Sequence, residues 1–110
     1  MRMWNIPARL LCKQHLLGEH YEIHKAYGNL QHTGIWTQTL TQKGYLEPQN
    51  FKTRHDELVL EMKNRGYKHN TPLHINGIHL PIGHVDIETS YQDLISRCID
   101  CYDNIMEEIL

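Results

Sequence analysis

The sequence has no apolar run of membrane-spanning length, only three cysteines, a single phenylalanine and no excess of positive charge. Each shortage excludes something. Without about 20 consecutive apolar residues no bilayer-spanning helix is expected. No basic and then apolar leader opens the chain, so no signal peptide is expected either. Three cysteines cannot all pair, which argues against a disulfide framework and for a reducing cytoplasm. Eleven Lys and Arg stand against thirteen Asp and Glu, a formal net charge of -2. General attraction to a polyanion is thereby excluded, and nucleic-acid binding would need a local basic patch. Internal repeats and interdomain linkers are also missing. What is present suits one small domain with one core over residues 1–110: 40% hydrophobic and 22% charged residues. Nine histidines in 110 residues ask for an explanation.

The chain is organised around residues 14–24, the second half of a helix expected from near Pro7 to about Lys25. Asn5 suits its N-cap and Pro7 its first turn. At 3.6 residues per turn Ala8, Leu11, Cys12, His15, Glu19, Glu22 and Ala26 share one stripe, with Leu10, Leu17 and His24 roughly opposite. A helix apolar on more than one side is central in its domain. Carboxylates on it lose hydration unless they are paired or chemically employed, so Glu19 and Glu22 read either as bridged to cations or as a site. Gly18 interrupts the helix at a cost of about 1 kcal/mol relative to alanine, which suggests close approach of a backbone or a ligand. Residues 29–46 read as a loop with one short helical turn.

A second helix is expected from near Pro48 to Gly66. Phe51, Leu58 and Met62 form its buried stripe with His55 between them, and Gly66 is its C′ residue. Asn76-Gly77, between Leu73-His74-Ile75 and Ile78-His79-Leu80, is a two-residue hairpin signal that would make His74 and His79 cross-strand neighbours. A third helix is expected after Asp86 almost to the end, on the stripe Ile87, Tyr91, Leu94, Ile95, Cys98, Tyr102, Ile105, Met106 and Ile109. The expected fold is all-α: a compact three-helix single domain with irregular connections and one small β-hairpin, acting as a monomer.

Several constellations could carry chemistry. Cys98 and Cys101 form a CxxC inside the third apolar stripe. With Cys12 as the remaining thiol, they read as core cysteines packing as small hydrophobes. His20 and His24, at i and i+4, have the spacing of a metal pair, but Tyr21 stands where a metalloprotease has glutamate. Joined to His74 and His79 they make a histidine-dependent metalloprotein an alternative; otherwise no metal and no cofactor are expected. Arg54-His55-Asp56-Glu57 reads as a solvated face or, with Arg2, Lys63 and Arg65, as a set of phosphate contacts.

Gln14, His15, Leu16, Glu19 and Glu22 resemble the first-helix motif of the phage pyrimidine-dimer DNA glycosylase/AP lyase family, endonuclease V of the phage repair type. Arg54, Glu57, Leu58, Glu61 and Arg65-Gly66-Tyr67 resemble that family's middle helix and its arginine-glycine-aromatic end. Counted back without a gap, Arg2 falls on the family's arginine beside the amino terminus, and Met1 on the residue whose α-amine is the nucleophile. The bulk of Arg2 is expected to protect Met1 from removal.

The resemblance implies a bifunctional DNA N-glycosylase and AP lyase on double-stranded DNA, in the cytoplasm of a bacterial or phage-infected cell. Met1 and Glu22 would be catalytic, and Arg2, His15, Glu19, Arg54, Lys63 and Arg65 would contact DNA. The connection between the two matched helices is shorter than in the family. The chain ends Met106-Glu107-Glu108-Ile109-Leu110, without the family's aromatic, lysine-rich carboxyl terminus. The base removed is therefore left open, and a catalytically silent DNA- or protein-binding relative stands beside the enzyme as an alternative.

Overall fold

In the computed structural model, which describes residues 2–76 and 79–110, helix α1 (Lys13–Leu30) is the axis. Helices α2 (Ile35–Gln42) and α3 (Phe51–Asn64) both pack against it. Helices α4 (Ile87–Arg97) and α5 (Ile99–Ile109) pack on each other, and α5 also rests on a 3-10 turn, Ala8–Leu10. The described residues contain five α-helices and no strand, so the class is all-α, as expected. None of these helices is long and apolar enough to cross a membrane. Met3, Ile6, Leu11, Leu16, Ile23, Leu46, Phe51, Leu58 and Leu94 are fully buried and form one core.

The elements differ from the sequence expectation at four places. First, α1 begins at Lys13 rather than near Pro7, because Leu11 and Cys12 are extended and separate it from the 3-10 turn. That break leaves carbonyls to satisfy. Arg65, beyond the end of α3, donates to the carbonyl of Leu11 at 2.7 Å and to those of Ala8 and Arg9 at 3.3 Å. Second, α1 runs on to Leu30, and eight residues of the expected loop form α2. Threonine-rich Ile35–Gln42 has poor intrinsic helix propensity. Docking on α1 supplies the stability: the Thr37 hydroxyl donates to the Ala26 carbonyl at 2.8 Å, and the Thr37 amide donates to Asn29 Oδ1 at 3.0 Å.

Third, the expected hairpin is not formed in its described residues. The amide of Asn76, a turn residue of that hairpin, donates to the Tyr27 hydroxyl at 2.8 Å, which ties the segment to α1. Gly77 and Ile78 lie outside the described residues, and His74 and His79 are exposed. Fourth, the long third helix is two helices, broken at Cys98 (φ -134°, ψ 110°) although neither proline nor glycine is present there.

Other expectations hold. Asp86 is the N-cap residue of α4. Gly66 has φ +82°, and the bonds Gly66 N–H to Lys63 O and Tyr67 N–H to Met62 O, both 2.9 Å, complete a Schellman end for α3. Gly83 is required by close packing, since a Cβ there would lie 2.2 Å from the Leu46 carbonyl oxygen. The Gln49 side-chain amide brackets it, donating to Gly83 O at 2.7 Å and accepting from Gly83 N–H at 3.0 Å.

Between α1 and α3 lies a buried ion pair. Arg54, 4% exposed, donates to both carboxylate oxygens of Glu19, itself 1% exposed, at 2.5 and 2.9 Å. The same guanidinium donates to the Ile6 carbonyl at 2.8 Å and to Glu57 at 3.1 Å. Removing one member strands the other charge in the core. Arg54→Leu is therefore expected to lower unfolding free energy by about 3–5 kcal/mol. The double variant Glu19→Leu/Arg54→Leu is expected to recover most of that loss. Urea denaturation of both checks it; equal loss in the two variants would show that packing, not the stranded carboxylate, sets the cost.

Candidate active site

One face of α1 and the amino-terminal segment enclose a cleft of about 350 Å³, lined by Arg2, Trp4, Gln14, His15, Gly18, Glu19 and Glu22. Helical spacing puts Gln14, His15, Gly18 and Glu22 along its floor. Gly18 opens the floor rather than relieving a clash, because a Cβ there would meet nothing within 4 Å. The wall is held in place by Met3. Its amide donates to the Tyr45 carbonyl at 2.8 Å, its side chain is fully buried, and its sulfur accepts the Glu47 amide at 3.3 Å.

Arg2 is pinned from three directions. Its guanidinium donates to Asp93 Oδ2 at 3.1 Å and to Ser90 Oγ at 2.8 Å, and lies over the rings of Trp4 and Tyr45 at 4.8 and 5.5 Å. Its Nε is nevertheless buried without a partner among the described residues. So is Oε2 of Glu22, a residue only 8% exposed. Burial, partly offset by Lys25, raises the Glu22 carboxyl above the ordinary glutamate range. An unpartnered buried donor and acceptor in one cleft are costly unless a ligand uses them. With a carboxylate, a fixed cation and an aromatic wall, the cleft is equipped to stabilise developing positive charge, move a proton and hold an anion.

The expected site residues divide. Arg2, His15, Glu19 and Glu22 line the cleft together. Glu19 lies beneath Glu22 with both oxygens committed to Arg54, so it positions rather than reacts. Arg54, expected at a phosphate, is buried in that pair; reaching DNA would break it. Arg65, expected to do the same, is spent on Glu61 at 2.7 Å and on the carbonyls before α1. Lys63 is exposed in the last turn of α3, outside the cleft lining. Met1 lies outside the described residues. The reasoning from sequence did not find Trp4, Ser90 or Asp93. The last two come from α4, 88 and 91 positions from Arg2, and no local pattern links them to it.

Among the described residues, two clusters of metal-ligating side chains flank the cleft helix, each with its ligand atoms within 4.8 Å of one another. Cys12, His15, Cys98 and Cys101 form one, and His20, His24, His55 and His69 the other. The cysteines, expected as core thiols packing as small hydrophobes, gather with His15 in a set that could hold a metal ion. The histidine set differs from the expected one: His55 and His69 stand where His74 and His79 were expected. Burial pushes the Cys101 thiol up to about 12, and burial with three neighbouring imidazoles pushes His20 down to about 4.

A family model described as pyrimidine dimer DNA glycosylase matches residues 1–75, which hold the cleft lining, α1, α2 and α3. No curated protein and no solved structure matches.

Proposed function

This chain belongs to the pyrimidine dimer DNA glycosylase family, and from that premise we propose that it excises a damaged or modified base from double-stranded DNA and then nicks the abasic strand. The observation that carries the reading is the Glu22 carboxylate, buried with one oxygen unpartnered among the described residues in the cleft that the fixed Arg2 also lines.

The proposed nucleophile is the α-amine of Met1, by register with the family motif. An α-amine with a pKa of about 7.7–8.0 has an appreciable neutral fraction near pH 7, whereas a lysine at about 10.4 has very little. The amine nitrogen bonds to the sugar C1′ as the C1′–N bond to the base breaks and the base leaves with the electron pair. Loss of an amine proton and opening of the sugar ring, in which the C1′–O4′ bond breaks and O4′ takes up a proton, then give the C1′=N imine in its protonated form. Glu22 stabilises the positive charge that develops at C1′ and on the iminium nitrogen. It then accepts the C2′ proton, so that electrons released into C1′–C2′ expel the 3′ phosphate and break the strand. Arg2 is suited to a phosphate beside the target, and Trp4 to stacking against an extruded nucleotide. With a net charge of -2, affinity rests on few cations, and the monomer presents one such cleft.

Glu22→Gln is nearly isosteric and removes the charge. It is expected to lower strand cleavage about 10²–10³-fold while leaving folding and DNA affinity close to wild type. Wild-type nicking of an abasic duplex by this variant would remove Glu22 from the mechanism.

Borohydride added during turnover should reduce the imine to a stable amine and give a covalent protein–DNA adduct on a denaturing gel, mapped to the Met1 α-nitrogen. An added amino-terminal tag should suppress it, because the original amine becomes an unreactive amide. Adduct formation should climb between about pH 6 and 8. Trapping that persists unchanged behind a blocked terminus would transfer the role to a lysine, and intact binding with no trapping would favour a silent DNA-binding relative.

A further inference from the structure

We propose that Cys12, His15, Cys98 and Cys101 bind one zinc ion in a closed tetrahedral site. Three thiolates and one imidazole are a recurrent structural zinc set. The spacing fits it: Cys12 Sγ to Cys98 Sγ is 3.8 Å, and His15 Nδ1 lies 3.2 Å from Cys12 Sγ and 3.5 Å from Cys101 Sγ. A tetrahedron with Zn–S of about 2.3 Å and Zn–N of about 2.0–2.1 Å places sulfurs about 3.8 Å apart and sulfur and nitrogen about 3.5 Å apart. A disulfide needs about 2.05 Å.

Two further observations point the same way. Cys101 Sγ accepts the Cys12 amide at 3.2 Å, and Cys98 Sγ accepts the Cys101 amide at 3.4 Å. Backbone N–H donors on sulfur are the outer-shell partners that a metal-bound thiolate needs. The break between α4 and α5 falls at Cys98, inside a continuous apolar stripe and without glycine or proline. Sharp helix breaks have identifiable causes, and here ligation of the Cys98 and Cys101 sulfurs by one ion supplies it. The ion would tie the start of α1 to the α4–α5 junction. His15 lines the cleft and α4 carries the Arg2 partners Ser90 and Asp93, so the site would hold the cleft's floor and wall in register.

The test is metal content and cobalt spectroscopy on the full chain. Wild type purified without added metal should carry zinc. After exchange, Co(II) should give the thiolate charge-transfer and tetrahedral d–d bands. Cys98→Ser should lose those bands and melt at a lower temperature, whereas Glu22→Gln should keep both. Should Cys98→Ser fail to fold, the wild-type spectrum alone decides. Wild type whose cobalt form lacks the thiolate band, or whose three cysteines react as free thiols equally with and without zinc, overturns the proposal, as does a disulfide among them.

The geometry points independently to a second ion, held by His20 and His24 of α1, His55 of α3 and His69 beyond it. The His20 and His69 Nε2 atoms are 3.0 Å apart, and those of His24 and His55 are 3.1 Å apart. His55 Nδ1 lies 2.9 Å from Asp56 Oδ1, an acceptor, which makes Nδ1 the proton carrier of the neutral ring. The Nε2 lone pair then faces both His24 Nε2 and the Thr71 carbonyl oxygen, the latter at 3.2 Å. In the tautomers that present their lone pairs inward, the four imidazoles bring ligand nitrogens within 4.8 Å of one another, a donor set for one cation. An all-imidazole set suits zinc, copper, iron or nickel. Zinc is the ion to test first.

His69→Gln, on the irregular segment after α3, should lose one equivalent of metal and keep the thiolate band of cobalt. X-ray absorption on the zinc form of Cys98→Ser should show a first shell of nitrogen alone. Full wild-type metal content in His69→Gln overturns the histidine site, as does failure of wild type to take a second equivalent of zinc, cobalt, copper or nickel.

Discussion

The Arg54 guanidinium is the point on which the rest of the structure turns. It grips Glu19 on α1 with two hydrogen bonds, belongs itself to α3, and donates to the carbonyl of Ile6 in the amino-terminal segment. One planar group thus sets three pieces of chain relative to one another. Glu22 stands one turn beyond Glu19 on the same face of α1, and Arg2 and Trp4 precede Ile6 on the segment that Arg54 holds. The cleft is a consequence of that arrangement. A lysine in place of Arg54 could not make the same contacts, because an ammonium lacks the planar fork.

Against this satisfied pair, the cleft is under-satisfied. Glu19 and Glu22 share a helix face and a buried setting, yet one has every oxygen bonded and the other keeps Oε2 without a partner among the described residues. The difference is environmental, since residue type and helical phase are alike. Arg2 shows the same contrast within one side chain: two nitrogens are anchored on α4 and the third has no partner among the described residues. Fixed but incompletely bonded polar groups are what a preorganised site requires, since they are oriented before a substrate arrives.

The histidine and cysteine clusters lie along α1 on either side of the same logic. A domain of 110 residues has a modest core, and interactions that join distant segments add much to it. The sulfur cluster joins residues 86 or more positions apart, and the imidazole cluster joins α1 to α3 and the segment after it. The unusual histidine count is largely accounted for by these two clusters, which use five of the nine.

Much of this was legible in the chain itself. The apolar phase of α1 and α3, the Gly66 end with its Schellman bonds, the Asp86 start of α4 and the pairing of Glu19 and Glu22 on one face are local properties, fixed by helical periodicity and backbone sterics. The family motif likewise spans residues close in sequence. Four features belong to tertiary structure alone. Arg65 satisfies the carbonyls that let the chain break before Lys13, and the Tyr27 hydroxyl ties the Asn76 amide to α1. Cys12 and His15 meet Cys98 and Cys101, and Arg54 turns inward instead of toward phosphate. In each case the deciding partner is far away in sequence, and periodicity describes which face a side chain occupies, not what folds over it.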